Sequence, residues 1–138
     1  MPSSGFRTSY RVVWADTDAA QVVHYANYFR IFERAEEEFY RHLGFSFTEW
    51  SSRGLWFPRV EAFCRYKKPA KFNELLQIEV AVRDLKEKSV KLEFRVLSEK
   101  SDTVFASGYI IAVAADKKTG KATAIPVEIL EKLRPLSE

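Results

Sequence analysis

Two carboxylates stand in a short polar stretch, Trp14-Ala15-Asp16-Thr17-Asp18, and the chain then runs through Ala19 to Tyr25 into a helix. A negative side chain beside the positive end of a helix is equipped to act on a carbonyl group. The carboxylate supplies or activates the nucleophile, while unpaired backbone N–H groups at the helix start receive the charge that builds on oxygen. Asp and Thr also bond their own backbone and favour turns. That role suits Asp16 well and Asp18 less well, because Asn27 is the better-placed N-cap for the helix. The reading is therefore divided: Asp16 structural, Asp18 catalytic.

Other side chains carry weaker signals. His24, just before Tyr25, is of a residue type that does acid–base work near neutrality, yet a lone histidine usually packs or hydrogen-bonds. Glu33 is a rival carboxylate whose plain role is pairing with Arg30 or Arg34 along the helix. Glu61 is read as a partner in a cross-strand ion pair, and Cys64 as a small core residue. The run Arg65-Tyr66-Lys67-Lys68-Pro69-Ala70-Lys71 reads first as a solvated strand end. Nucleic-acid binding with Tyr66 as a stacking platform is the alternative. Lys67, Lys68 and Lys71, or the turn Lys86-Glu87-Lys88-Ser89, also suit the phosphates of a nucleotide-bearing substrate. The two histidines, His24 and His42, form no cluster with metal-ligand spacing, so no metal is expected. The absence of a serine elbow, glycine-rich phosphate loop or Walker pattern leaves no cofactor to expect.

The elements that must position these groups are legible from period. Residues 7–14 alternate as a first strand, with Tyr10, Val12 and Trp14 on one face. From about Asn27 to His42 the spacing changes: Tyr28, Phe32, Ala35, Phe39 and Leu43 form one helical stripe, and Gly44 follows where a left-handed cap belongs. A short helical turn is expected near Phe47–Ser51. Strand alternation returns at Val60–Tyr66, Leu76–Arg83 and Val90–Val96, and the run Thr103–Ala115 turns apolar on both faces from Tyr109. Ile125-Pro126 opens a short final helix with Pro in its first position. The order is strand, one long helix, then four strands that short links force to be antiparallel. One helix is available to cover one face, so the sheet should wrap around it.

Composition bounds the function classes. The 138 residues, 46% hydrophobic and 14% aromatic, suit a single globular domain spanning 1–138 and exclude a disordered chain. A net charge of +3 creates no field that demands nucleic acid or membrane. The lone cysteine rules out an internal disulfide framework, and the N-terminus lacks the apolar core of a signal peptide. With no stretch approaching the ~20 apolar residues of a membrane helix, a soluble cytoplasmic protein is expected.

Taken together, Tyr10, Trp14, Asp16-Thr17-Asp18, Val22-Val23, Tyr28 and Glu33-Arg34-Ala35 resemble the hotdog-fold thioesterases of the 4-hydroxybenzoyl-CoA thioesterase type. The segment is especially similar to the small bacterial acyl-CoA thioesterases associated with the Tol–Pal system. The resemblance implies an α+β hotdog fold, a five-stranded antiparallel sheet wrapped around one long central helix. It implies dimers sharing one continuous sheet, or tetramers built from them, with active sites between subunits. It maps the catalytic carboxylate to Asp18 and the oxyanion donor to the backbone N–H of Tyr25, and it implies an acyl-CoA substrate. His24, Lys86, Lys88 and Ser89 are the residues expected to help bind it. The family usually carries Gly two or three residues after the catalytic Asp, where this chain has Ala20 and Gln21, so the turn is expected to avoid positive φ. Two alternatives stay open: a hotdog module that binds acyl-CoA without turnover, and a thioesterase that uses Glu33.

Overall fold

The computed structural model describes residues 5–137; the first four residues, included above in the reading of the N-terminus, and the last lie outside them. Strand β1 (Phe6–Arg11) leads through a loop to helix α1 (Tyr28–His42), followed by the short helix α2 (Phe47–Ser52) and strand β2 (Leu55–Trp56). Strands β3 (Arg59–Tyr66), β4 (Leu75–Arg83), β5 (Ser89–Ser98), β6 (Val104–Val113) and β7 (Ala115–Asp116) precede a last helix, α3 (Val127–Leu133). Five strands form one antiparallel sheet in the order β1-β4-β5-β6-β3, and β2 pairs with β7 in a small separate sheet.

The helical stripe and the strand alternation meet in one core. Leu76, Ile78, Val80 and Val82 of β4 and Val90, Leu92, Phe94 and Val96 of β5 are buried with Ile31, Phe32, Ala35 and Phe39 of α1. Phe32 lies flat against Phe94, ring centroids 4.7 Å apart and planes within 7°. Gly108 of β6 makes that contact possible. A Cβ there would stand 2.2 Å from the Phe63 carbonyl oxygen and 2.8 Å from the Phe32 ring. Helix α1 ends as its sequence predicts, with Gly44 at φ 90° and the Phe45 N–H bonded 2.8 Å from the Tyr40 oxygen.

Four local expectations need correction. Strand β1 stops at Arg11 rather than residue 14, because the Asp16 carboxylate captures the Val13 N–H and winds residues 14–16 into a helical turn. Trp14 consequently leaves the core face and is 73% exposed. Asn27 occupies the N-cap position of α1 without capping it; its side-chain amide instead donates to the Asp16 carbonyl at 2.9 Å. Pro126 sits just ahead of α3 as its N-cap, with extended backbone.

The two edges of the sheet differ from its centre. Strand β3 pairs with β6 along one side only, and of its eight residues all but Cys64 are exposed, including Val60, Phe63 and Tyr66. An open apolar strand edge presents unpaired main-chain donors and acceptors to a partner.

Candidate active site

The loop between β1 and α1 is organised around Asp16. Its side chain is 7% exposed and its Oδ2 accepts two hydrogen bonds, from the Tyr10 hydroxyl at 2.6 Å and the Val13 N–H at 2.9 Å. Its carbonyl accepts two more, from the His24 N–H and the Asn27 amide, both at 2.9 Å. Burial, then the hydrogen bond to Asp16, pushes the Tyr10 hydroxyl up to about 12. Asp16 thus ties the first strand to the helix entry, the structural role read from the sequence.

Asp18 is different. It is exposed, and its Oδ1 makes one local bond, from the Ala20 N–H at 2.9 Å. The turn that carries it is closed by Asp18 N–H to Val22 oxygen at 3.0 Å and Gln21 N–H to Asp18 oxygen at 2.9 Å. Gln21 closes this turn at φ 65°, in the left-handed region that the sequence reading expected a non-glycine residue to avoid. The hydrogen bonds of the turn, together with Phe72 N–H to Gln21 oxygen at 3.2 Å, hold it there.

Ahead of α1, residues Tyr25–Asn27 form one tight helical turn. His24 caps it: Nδ1 accepts from the Ala26 N–H at 3.1 Å, which leaves the ring's proton on Nε2. The imidazole stacks on the Tyr25 ring at 4.5 Å. The Tyr66 hydroxyl, reaching from the end of β3, donates to the Tyr25 carbonyl at 2.9 Å. Among the described residues no hydrogen bond uses the Tyr25 N–H. The His24–Tyr25 peptide is therefore held by its oxygen, which accepts from the Asn27 N–H at 2.9 Å, while its donor, the Tyr25 N–H, stays open.

Asp18 and Tyr25 line one open cavity of about 310 Å³, with Val23, Tyr28, Tyr66, Lys67, Lys68 and Pro69 as the other walls. Tyr28 is buried, and burial raises its hydroxyl to about 12, so that side chain stays neutral. Burial also pushes the Cys64 thiol up, against nucleophilic use. Sequence reading missed Tyr28 and undervalued Tyr66, taking it as a strand-end residue. Its position one strand length after Phe57 gave no sign that it returns to the helix entry.

Other expected residues fall elsewhere. Glu33 is exposed on α1, does not line this cavity, and enters no ion pair among the described residues. Glu61 accepts from the Tyr109 hydroxyl on the neighbouring strand rather than forming the expected ion pair. Lys86, Lys88 and Ser89 belong to the β4–β5 hairpin. Through the registers Ser89↔Val113, Val90↔Ala112 and Arg59↔Ala112 they are level with the start of β3. The cavity is at the other end, where Tyr66 pairs with Ala106. Along eight residues of strand that separation is roughly 25 Å, so the hairpin does not reach the Asp18 of its own chain.

A second cavity, of about 420 Å³, opens at the start of β3 between Phe47, Trp50, Ser51, Leu55, Trp56, Phe57, Pro58 and Arg59. Trp50, Trp56 and Phe57 meet here, while Tyr25 lines the first cavity and Trp14 packs against Phe72. Arg59 pairs with Glu36 of α1, which is 3% exposed and whose Oε2 has no hydrogen-bond partner. Burial raises the Glu36 carboxyl pKa, and Arg59 pulls it back down only in part.

Residues 12–133 match the family model described as the thioesterase-like superfamily. An acyl-CoA thioesterase, YbgC of Haemophilus influenzae, is 33% identical over 131 residues, 94% of this chain and 94% of that protein. The structure of the gentisyl-coenzyme A thioesterase BH1999 superposes with a TM-score of 0.82 at 35% identity, covering 90% of this chain and 98% of that one. A 1,4-dihydroxy-2-naphthoyl-CoA thioesterase from Synechocystis shares the fold at 20% identity, with a TM-score of 0.90 over 95% of this chain and 96% of that one. The chain belongs to the thioesterase-like superfamily, has the hotdog fold, and is a thioester hydrolase.

Proposed function

From membership of the thioesterase-like superfamily, we propose that this chain hydrolyses acyl-coenzyme A thioesters with Asp18 as its catalytic carboxylate. The observation that carries the reading is the shared cavity lined by both the exposed Asp18 and Tyr25, whose N–H makes no hydrogen bond among the described residues. With the thioester carbonyl against the helix entry, the Tyr25 N–H takes the oxyanion. One well-aimed donor of this kind contributes roughly 3–4 kcal/mol. Asp18 either attacks the carbonyl to give a mixed anhydride, which water then cleaves to the free acid and regenerated Asp18, or deprotonates a water that attacks the carbonyl and gives the free acid directly. The coenzyme A thiol, with an ordinary pKa of about 8.5, leaves as thiolate without an acid to protonate it. The Asn27 N–H, by holding the His24 carbonyl, fixes the peptide that carries the donor, and Tyr66 steadies the next peptide through the Tyr25 carbonyl. His24 fixes the same turn, and Lys67 and Lys68 stand where they meet the phosphates or pantetheine amides of the substrate.

The working unit is a homodimer joined along β3. Antiparallel pairing of β3 with a second copy, centred on Phe63, sets Phe63 against itself and Glu61 opposite Arg65 twice, on one face of the sheet. Opposite charges at facing positions support such a pairing. It also brings Lys86, Lys88 and Ser89 of the second copy to the end of the sheet that carries Asp18.

Asp18→Asn tests the assignment. It is expected to keep fold and assembly and lower kcat by roughly a hundredfold or more, read as free thiol released from a panel of acyl-CoAs. Unchanged turnover would remove Asp18 from the mechanism. Binding of acyl-CoA by wild type with no turnover of any member would favour a non-catalytic module.

A further inference from the structure

We propose that the Asn27 side chain is a positioning residue, a latch that sets the distance between the Asp18 carboxylate and the Tyr25 N–H. The proposal rests on the thioesterase reading above and adds to it the group that keeps its two working parts in register.

The segment between β1 and α1 folds as a narrow ribbon. Asp16, Thr17 and Asp18 form one limb and Val22, Val23 and His24 the other, joined by an antiparallel bridge between Thr17 and Val23. The His24 N–H donates to the Asp16 oxygen at 2.9 Å and the Asp18 N–H to the Val22 oxygen at 3.0 Å. These bonds shape the ribbon; Asn27 ties its first limb to the start of the helix. The Asn27 amide donates to the Asp16 carbonyl at 2.9 Å, and its main-chain N–H donates to the His24 carbonyl at 2.9 Å. Asp16, His24 and Asn27 are thereby closed into a ring of three hydrogen bonds. One side of that ring is the planar His24–Tyr25 peptide, whose opposite edge carries the oxyanion donor. Another side is Asp16, two residues before the catalytic carboxylate.

Asp18 has little else to hold it. Its side chain is exposed and takes one bond, from Ala20 within its own turn. Its place relative to the Tyr25 N–H is therefore set by the main chain of its limb. Asn27 is of a type that caps helices, yet it makes no cap bond here, its amide being committed to the ring. The two roles call for opposite chemistry. A cap accepts a hydrogen bond from the helix, so Asp serves as well as Asn. The latch must donate to a carbonyl, and an ionised Asp has no proton to give. A displacement of about 1 Å at a reacting group costs roughly a hundredfold in rate, which sets the scale of what the latch protects.

The test uses the purified full chain and measures thiol release from octanoyl- and benzoyl-CoA by wild type, Asn27→Ala and Asn27→Asp, well below each melting transition. Both variants keep the main-chain bond to His24, so the oxyanion donor stays in place. In both, kcat is expected to fall roughly ten- to hundredfold with KM changed by less than about threefold. Placed on Asp18→Asn, Asn27→Ala should lower the residual rate by less than about twofold, because no carboxylate is left to misplace. Losses that multiply in the double variant overturn the proposal. So does wild-type kcat in Asn27→Asp, the result a capping role would give. If Asn27→Ala does not fold, Asn27→Asp carries the same cycle; loss of fold in both makes Asn27 a structural residue and overturns the latch. Wild type that hydrolyses neither thioester refutes the thioesterase reading itself, and full turnover by Asp18→Asn refutes the carboxylate assignment. An Asp18-dependent enzyme indifferent to Asn27 refutes the latch alone.

Discussion

Replacing Asp16 by Ala removes the two bonds that its Oδ2 accepts, from the Tyr10 hydroxyl and the Val13 N–H, and leaves the two on its carbonyl in place. Hydrogen bonds to a charged acceptor contribute about 1.5–3 kcal/mol each. Val13 is exposed, so water replaces much of its loss, while the Tyr10 hydroxyl lies deeper. The expected cost is about 2–4 kcal/mol in all. For 138 residues at about 2.1 cal/mol/K each, unfolding entropy is about 0.29 kcal/mol/K, which makes the loss roughly 7–14 °C in Tm. Asp18→Asn, at an exposed position with one local bond, should stay within about 0.5 kcal/mol, or roughly 2 °C. Asp16→Asn, which keeps an acceptor oxygen, should recover most of the loss. Calorimetric melting of the three variants, with turnover measured well below each transition, separates scaffold from chemistry. An Asp16→Ala protein that melts within roughly 2 °C of wild type, or an Asp18→Asn protein that melts as early as Asp16→Ala, would refute this division of labour.

Two further outcomes are expected. Glu61→Arg should weaken self-association roughly tenfold, about 1.4 kcal/mol, and adding Arg65→Glu should restore it; sedimentation over a dilution series reads both, and an unshifted single variant excludes the Phe63-centred register. Arg59→Ala strands Glu36 as a buried charge and should cost about 3 kcal/mol at pH 7. Because the Glu36 pKa is raised in the fold, the carboxyl takes up its proton as pH falls towards the ordinary glutamate range, and the deficit relative to wild type should shrink there. Equal deficits in urea unfolding at pH 7 and pH 5 would count against it.

The parts legible in the sequence are those set by period. The stripe Tyr28, Phe32, Ala35, Phe39 and the alternation from Val60 to Val96 specify a helix and strands whose faces have one way to meet, so the wrapped sheet follows. The sequence divides Asp16 from Asp18 by taking Asn27 as the better cap, a ground that fails because Asn27 does not cap α1. What sets the two apart is the four bonds gathered by Asp16 against the one local bond to the Asp18 side chain. Local bonding was less legible. Asn27 is a good cap by type, but Asp16's carbonyl competes for its amide and His24 supplies the cap for the preceding turn. Gln21 enters the left-handed region against its own preference because four neighbouring main-chain groups fix the loop, a tertiary effect that composition does not carry. The meeting of Tyr66 with Tyr25 spans 41 residues and depends on strand order, which short-range spacing does not encode.

The opposite placement of the two cavities along β3 has a kinetic consequence. If each complete site draws on both copies, a dissociated chain carries two halves and no whole. Specific activity then ceases to be constant on dilution: it falls with the fraction paired, and the rate rises with the square of protein concentration below the dimer Kd. Abundance would itself regulate turnover, without an effector, as steeply as the strength of the β3 edge allows.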